Sequence, residues 1–305
     1  MTELINNRFK LLKKCGSGGS GDVFEALDLR LKRKVALKRV RVDSRADKRE
    51  KAQRLLREAE HLALVEHPNV VAIHDVLEQE DSVAIVMELV KGIPFSELFR
   101  KQALPENEFL GYMRQLVSAL EAVHGAEIVH RDVNPRNVLV TAEGLIKLMD
   151  FSLSTTIHDP APRAGGTIGY MAPEALRKGT RLSYGLDIYG LGLLSYQALL
   201  GMPAFLRLYG TPKPIAWARW LLSREKFRTL LDLEAPITPA LSAIIEKMLE
   251  KDLKQRYQKL KDLRQDLERL GVQLTPRPQA GPSLVAGVRR LLPALLARPS
   301  DEERQ

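Results

Sequence analysis

The sequence predicts an α+β protein with two lobes, a small β-rich first lobe with one main helix and a larger helical second lobe. Residues 9–42, and again 70–77 and 82–89, have the alternating and short apolar stretches that are typical of strands. Beyond Pro94, apolar residues recur at three- and four-residue spacing, which is typical of helices. The chain has 305 residues, 45 % of them apolar, which is enough for one two-lobed domain.

The first lobe is predicted to span residues 1–87. The alternation of apolar residues is clearest from Val23 to Leu31, which predicts a strand. One long helix is predicted because Leu55 and Leu62 fall on the same helical face. The predicted strands cover 9–42, 70–77 and 82–89, and the predicted helix covers 47–65.

The second lobe is predicted over residues 93–270, after a hinge at 88–92. Residues 271–305 are expected to form a linker and a short C-terminal tail, in which the apolar stretch 284–296 could lie on a membrane surface, dock on a partner or pack on its own domain. The predicted helices cover 105–124, 187–200, 239–249 and 260–270, and strand-like runs lie at 138–140 and 145–148.

The composition excludes several classes of protein. A single cysteine, Cys15, excludes an intrachain disulfide and gives no zinc-binding pattern, which favours a reducing compartment. Residues 1–14 lack the apolar core of a signal peptide, and no uncharged apolar run reaches the ~18 residues of a membrane-spanning helix. We therefore expect a cytoplasmic protein without a transmembrane segment.

Much of the net charge of +9 lies between Arg30 and Arg57 in the first lobe. Such a basic cluster can bind an acidic partner or nucleic acid, or it can be a solvated face. No aromatic residue interleaves the cluster, which argues against stacking on nucleic-acid bases. We expect a solvated face or an acidic partner, and no specific nucleic acid.

A glycine-rich loop follows the first predicted strand and matches the pattern G-x-G-x-x-G-x-V. A dinucleotide-binding fold uses the same glycines but needs a helix directly after them, whereas a strand-like stretch follows here. A glycine hairpin between strands can fold over phosphate groups, because glycine lets the backbone approach closely. A plain turn is the alternative. The loop residues are Gly16, Ser17, Gly18, Gly19, Ser20, Gly21, Asp22 and Val23.

Charged residues that suit phosphate chemistry follow the loop in a fixed order. Lys38 lies on the next strand and can hold phosphates as a point charge, if a carboxylate such as Glu58 on the following helix fixes it. Asp132 can accept a hydroxyl proton, and Asn137 and Asp150 offer the oxygen ligands that Mg²⁺ prefers. Each residue alone could be a cap, a turn or a surface ion pair.

Together these residues resemble the protein kinase superfamily, from about Phe9 to about Leu270. The match includes the glycine loop, the strand lysine, the helix glutamate and His130-Arg131-Asp132 with Asn137. It continues with Asp150-Phe151 and Ala172-Pro173-Glu174. The stretch from Gly166 to Glu174 is similar to the bacterial Ser/Thr kinases in particular, and Thr167 and Pro135 resemble the Ser/Thr branch.

The resemblance implies a two-lobed protein kinase fold and a role for each matching position. The glycine loop would cover ATP, with Val23, Ala36 and Leu139 around the adenine, Met87 behind it and Glu88 at the start of the hinge. Lys38 would pair with Glu58, Asp132 would be the catalytic base, and Asn137 and Asp150 would hold Mg²⁺. Asp187 would anchor the catalytic loop, and Glu174 would form an ion pair with Arg256.

Two positions depart from the family pattern. The lysine expected two residues after Asp132, which contacts the transferred phosphate, is Asn134. Asn134 is predicted to donate an uncharged hydrogen bond there, and the loss of a charge-assisted bond costs about 1.5–3 kcal/mol. Arg136 is a candidate to compensate. The glycine expected after Asp150-Phe151 is Ser152, which should bias the loop conformation without removing the metal ligand.

The resulting prediction is a Ser/Thr protein kinase that transfers the γ-phosphoryl group of ATP, with Mg²⁺ or Mn²⁺, to protein hydroxyls, its own included. One alternative is a pseudokinase-like nucleotide-binding scaffold, which Asn134 and Ser152 favour. A second alternative is a small-molecule phosphotransferase. The segment 166–174 argues against the second, because in the family it builds a platform for a peptide.

Overall fold

The structure is a computed structural model that describes residues 3–18, 21–41, 45–79, 82–159, 165–177, 179 and 181–271. The first lobe is one antiparallel sheet of six strands in the order β1-β2-β3-β4-β6-β5. Its strands are β1 (Leu4–Ile5), β2 (Phe9–Gly18), β3 (Gly21–Asp28), β4 (Arg33–Arg41), β5 (Ile73–Glu78) and β6 (Ser82–Met87).

The sheet has two covered faces, as the alternation in the sequence requires. One face carries Leu37, Val86 and Phe9, which are buried in a small outer cluster. The other face carries Ala36, Ile85 and Met87, which belong to the main apolar cluster of the molecule. Helix α1 (Arg45–Ala63) packs on this second face, where its Leu55 and Leu62 join the same cluster. The inner face of the sheet is therefore continuous with the core of the second lobe.

The second lobe is mainly helical, with two small sheets near the first lobe. One sheet has the order β10-β9-β7 and the other pairs β11 with β8. The strands are β7 (Gly92–Pro94), β8 (Ile128–Val129), β9 (Val138–Thr141), β10 (Ile146–Leu148) and β11 (Thr155–Thr156). The helices are α2 (Glu106–Gly125), α3 (Gly185–Leu200), α4 (Met202–Tyr209), α5 (Pro214–Leu222), α6 (Pro239–Met248) and α7 (Leu260–Arg269).

Helix α3 is the central element of the second lobe. Its residues from Asp187 to Leu199 are buried almost without exception, and it contacts α2, α4 and α6. A helix that is apolar on all sides belongs in the interior. Among the described residues no single helix is long and apolar enough to cross a membrane, although α3 and α4, bent by 109°, pass the same test as a pair.

The predicted two-lobed α+β fold is confirmed, with a few differences in its elements. Residues 92–94, expected to interrupt the pattern, form β7, which pairs with β9 at Ile93 and Val140. Gly92 permits this pairing, because a Cβ there would lie 2.7 Å from the carbonyl oxygen of Val140. Helix α4 and the short strands β1, β8 and β11 were not predicted.

Part of the predicted basic cluster is neutralised within the first lobe. Lys34 pairs with Glu25 at 2.6 Å, and the buried Arg39 pairs with Glu3. The side chains of Arg41, Arg45, Lys48, Arg49 and Lys51 lie outside the described residues, as do Gly19, Ser20 and the tail from residue 272. The acidic partner for this cluster therefore stays a prediction.

Candidate active site

A buried set of charges joins the two lobes. Lys38 on β4 donates to both carboxylate oxygens of Glu58 on α1, at 2.7 and 2.9 Å, and to Asp150 at 3.0 Å. Lys38 and Glu58 are almost completely buried. Burial opposes the charge of Lys38, but the two carboxylates outweigh it and raise its pKa. The side chain is therefore a fixed cation at the back of the cleft.

Sheet register places the predicted nucleotide-binding residues on one face. Val23 is paired with Lys38, and Lys38 with Ile85, so all three side chains point the same way. Ala36 and Met87, which are paired two positions along, share that face. Leu139 comes from β9 of the second lobe and is half-buried. The face that would receive an adenine is apolar, with the cation at its far end.

The glycine loop forms a hairpin between β2 and β3. The paired residues include Gly16 with Val23 and Gly18 with Gly21, and Ser17 donates to Asp22 at 2.6 Å. Gly21 has φ +118°, and a Cβ there would lie 2.6 Å from the carbonyl oxygen of Arg39. This position therefore requires glycine, because a side chain would push the hairpin away from β4.

The loop that carries Asp132 is anchored by a carboxylate on α3. Asp187 accepts hydrogen bonds from the backbone N–H groups of His130 at 2.8 Å and Arg131 at 2.7 Å, and from His124 at 2.8 Å. Burial opposes ionisation of Asp187, but these bonds outweigh it and lower its pKa. Gly190, one turn later, lets the loop lie close, since a Cβ there would be 2.7 Å from the carbonyl oxygen of Val133.

Asp132 is held in one orientation by two donors. Oδ2 accepts from Nδ2 of Asn137 at 2.8 Å, and Oδ1 accepts from the backbone N–H of Thr167 at 2.9 Å. Each oxygen keeps a second lone pair that can accept the proton of a hydroxyl group. The carboxylate is thus oriented by the loop on one side and by the segment after residue 165 on the other.

Asn134 is directed into its own turn. Its Nδ2 donates to the Asp132 carbonyl at 3.1 Å and its Oδ1 accepts from the N–H of Arg136 at 2.9 Å. A weaker contact of 3.4 Å joins Nδ2 to Thr167. The side chain is 2 % exposed. In this conformation Asn134 positions the catalytic loop, and its predicted bond to a phosphate stays a prediction.

Asn137 and Asp150 offer oxygen atoms toward the cleft. Because Nδ2 of Asn137 bonds to Asp132, its Oδ1 is left as an acceptor with no hydrogen bond from the described residues. Asp150 has φ +62°, and Lys38 together with Ser152 lowers its pKa against the effect of burial. A strained, ionised carboxylate and a free amide oxygen fit a hard divalent cation completed by phosphate and water.

Several contacts of this site were not predicted from the sequence. Lys147 on β10 pairs with Glu88 at 2.7 Å, which fixes the start of the hinge. His124 supports Asp187 from α2, 63 residues away. No local signal marks such partners, because each is distant in the chain from the residue it contacts.

A histidine connects α1 to the segment after Phe151. Ser154 donates its hydroxyl proton to the Phe151 carbonyl at 2.6 Å, so its oxygen accepts from Nδ1 of His61 at 2.7 Å. His61 lies in the last turn of α1, which also carries Glu58. Burial lowers the pKa of His61, Glu60 opposes that shift and Arg57 adds to it.

We expect His61 to make folding stability depend on pH. Its folded pKa lies below the ~6.5 of an exposed histidine, so the unfolded chain binds the proton more readily. The contribution of neutral His61 to folding stability is therefore complete above pH ~6.5 and is lost as the pH falls below that value. Urea unfolding at pH 7.5, 6.5 and 5.5 measures the free energy of unfolding at each pH. Its decrease from pH 7.5 to pH 5.5 should be smaller for His61→Gln than for the natural chain. Equal losses in the two proteins would contradict this assignment.

The segment from Gly166 to Leu176 forms the floor of the site beside Asp132. Short 3₁₀ turns at Ile168–Tyr170 and Pro173–Leu176 pack against α5. Tyr170 donates to Gln197 on α3. Glu174 is bound through both oxygens by Arg256, at 2.6 and 3.0 Å. We call residues 166–176 the platform, and its position suits a substrate chain that presents a hydroxyl to Asp132.

Comparisons with known proteins agree with this geometry. A family model described as protein kinase domain matches residues 9–266. A probable serine/threonine-protein kinase of Clostridium perfringens is 34 % identical over 88 % of this chain and 39 % of its own length. A probable serine/threonine-protein kinase of Streptomyces coelicolor is 35 % identical over 87 % of this chain and 40 % of its own length. The serine/threonine-protein kinase PrkC of Bacillus subtilis is 36 % identical over 66 % of this chain and 32 % of its own length. The chain thus spans at most two fifths of these relatives.

Proposed function

The chain belongs to the protein kinase family, and from that premise we propose that it transfers the γ-phosphoryl group of ATP to serine or threonine hydroxyls of proteins, its own included. Members of the family use ATP with a divalent cation and act on protein substrates. The acceptor type follows from the names of the relatives, each of which is a serine/threonine-protein kinase. Mg²⁺ is the proposed cation, with Mn²⁺ as a possible substitute.

One observation carries the proposal. The cation Lys38 and the acids Glu58, Asp132 and Asp150 converge on one cleft between the lobes, although they come from four separate parts of the chain. Bound ATP would supply the phosphoryl group, and the divalent cation would neutralise its charge. Phosphoryl transfer needs little beyond positioning and electrostatic stabilisation of this kind.

Each proposed role follows from the chemistry of the side chain. Lys38, fixed by Glu58, would bind the phosphates from the sheet side. Asn137 and Asp150 would hold Mg²⁺ through oxygen atoms. Asp132 would orient the acceptor hydroxyl and take up its proton, with Thr167 and Asn137 keeping the carboxylate in place. Asn134 would act through the turn that it stabilises.

The nucleotide itself would lie between the glycine loop and the second lobe. Gly16 to Gly21 would cover its phosphates, and Val23, Ala36 and Leu139 would enclose the adenine. Met87 and Glu88 would form the back and edge of that pocket, with Lys147 holding Glu88. The proposal includes a location in the cytoplasm, where ATP is available.

The scaffold and small-molecule alternatives have less support. Lys38, Glu58, Asp132 and Asp150 are all present, and Ser152 leaves the Asp150 carboxylate in contact with Lys38. The platform gives a protein chain a surface beside Asp132, which a small-molecule acceptor would not need. The relatives are named as protein kinases.

The proposal is tested by intact-mass spectrometry of the dephosphorylated chain after incubation with ATP and Mg²⁺. The expected result is a series of added phosphates that is absent when the cation is chelated. Transfer to an added Ser/Thr-containing protein should be measured in parallel. Failure of both reactions, with nucleotide binding intact, would support the scaffold instead.

A further inference from the structure

The platform is bordered by a cation that the mechanism does not use. Arg136 lies in the turn after Asp132, where its backbone N–H binds Asn134. Its guanidinium is exposed, and it has no hydrogen-bonding or ionic partner among the described residues. Since the turn itself is fixed by Asn134 and Asn137, the exposed side chain extends from a rigid base four residues after Asp132.

The surroundings of Tyr170 show where this charge acts. Burial raises the pKa of the Tyr170 hydroxyl, the Arg136 charge offsets part of that rise, and the Asp132 charge adds to it. Arg136 and Asp132 are therefore both within electrostatic range of one hydroxyl on the platform. A substrate whose hydroxyl meets Asp132 would place a residue one or two positions away near Arg136, since an extended chain advances about 3.3 Å per residue.

A second cation flanks the platform from α5. Gly169 of the platform lies against Pro212, since a Cβ added at Gly169 would be 3.5 Å from the proline ring. The next residue, Lys213, is exposed at the start of α5 and has no partner among the described side chains. The platform thus has a free positive charge on each side.

The sequence around these cations carries no exposed negative charge. Between residues 160 and 224 the acidic residues are Glu174 and Asp187, and both are buried. Arg256 neutralises Glu174, and Asp187 binds the catalytic loop. The same stretch has eight cations: Arg163, Arg177, Lys178, Arg181, Arg207, Lys213, Arg219 and Arg224. This stretch of the chain therefore has an excess of positive charge, and Lys213 is its exposed cation next to the platform.

We propose that this protein selects acceptor serines or threonines that lie within acidic segments, with Arg136 as the residue that reads the acidic side chains nearest the acceptor. This inference rests on the proposed function and names its substrate class. Complementary charge across the platform would favour acidic chains and repel basic ones, so the preference has an attractive and a repulsive part.

Three matched peptides test the proposal. Each has one threonine flanked on both sides by two glutamates, two glutamines or two lysines, so that the first two peptides differ in charge at nearly equal size. The proteins compared are the natural chain, Arg136→Glu, Arg136→Gln and the control Lys10→Glu. Lys10 is exposed on β2 of the other lobe, so its substitution changes the net charge equally, away from the platform.

For the natural chain, kcat/KM should be about tenfold higher with the glutamate peptide than with the glutamine peptide, and lower again with the lysine peptide. Arg136→Glu should lower kcat/KM for the glutamate peptide at least tenfold and raise it for the lysine peptide. Lys10→Glu should leave the order unchanged. Values within threefold for the three peptides would overturn the proposal. An equal loss for all three with Arg136→Glu would also overturn it and would assign Arg136 to the phosphoryl group instead.

A binding measurement separates this inference from the proposed function. Fluorescence anisotropy of the labelled peptides at 0.15 M salt would use Asp132→Asn protein, with and without Arg136→Glu. The glutamate peptide should bind at least tenfold more tightly than the lysine peptide, and Arg136→Glu should remove most of that difference. If the natural chain adds phosphate neither to itself nor to any peptide or added protein, the proposed function fails. Equal affinities for the three peptides would overturn the acidic preference on their own.

Discussion

Substitution of Asp132 by asparagine should lower phosphoryl transfer by about 10²–10⁴-fold, the range that a positioned general base contributes. Both carboxylate oxygens face a donor, Nδ2 of Asn137 on one side and the N–H of Thr167 on the other. An asparagine places an NH₂ group against one of these donors, so one hydrogen bond is lost along with the proton acceptor. The rate of phosphate addition by intact mass measures the effect.

The controls for this substitution separate chemistry from folding. Asp232→Asn makes the same change at an exposed carboxylate, and its rate should match that of the natural chain. ATP affinity should change little with Asp132→Asn, because Lys38 and Asp150 are untouched. An Asp132→Asn protein that still adds phosphate at more than a tenth of the natural rate would remove Asp132 from its proposed role.

The second large effect concerns stability. Glu174→Ala should lower the free energy of unfolding by about 3–5 kcal/mol, the cost of removing one partner of a buried ion pair. Arg256 is fully enclosed, and among the described residues it would keep its hydrogen bonds to the carbonyl oxygens of Glu250 and Gly185 and its contact with the ring of Tyr189. Both hydrogen bonds that Arg256 donates to Glu174 would be lost at once.

Chemical denaturation of the natural chain and of Glu174→Ala measures this difference. Lys226→Ala is the matched control, because it removes one partner of an exposed pair with Glu250 and should cost less than about 1 kcal/mol. The double variant Glu174→Leu with Arg256→Met should recover much of the loss, since it leaves no unpaired charge. Similar midpoints for Glu174→Ala and Lys226→Ala would show that the buried pair contributes little.

Much of the fold could be predicted because its signals are local. The alternation from Val23 to Leu31 predicts a strand, and β3 lies at Gly21–Asp28. The strand ends before Leu29 and Leu31, which lie in the following turn and are exposed. The helix that carries Glu58 was predicted at 47–65 and lies at Arg45–Ala63. Asp187 and Glu174 were given partners only through the family resemblance, and their geometry agrees with those roles.

The remaining features depend on distant parts of the chain. Nothing near His61 in the sequence indicates Ser154, which is 93 residues away. Helix α4 follows α3 after a single glycine, Gly201, whose φ of +81° turns the chain. In the sequence, the apolar residues of α4 continue directly from those of α3, so the pattern gives no sign that a second helix begins there. The orientation of Asn134 follows from its turn, since a side chain that can cap neighbouring N–H groups does so in preference to facing water.

The ion pairs of Lys38 also set an order in which the site is assembled during synthesis. Glu58 follows Lys38 by 20 residues, so both partners of this pair leave the ribosome before Asp150 does. Asp150 follows by 112 residues and is presented by a loop anchored on the second lobe. A nascent chain that ends before this loop has the pair of Lys38 and Glu58 but lacks the second carboxylate. The set of charges around Lys38 is therefore complete only after the loop that carries Asp150 has been made.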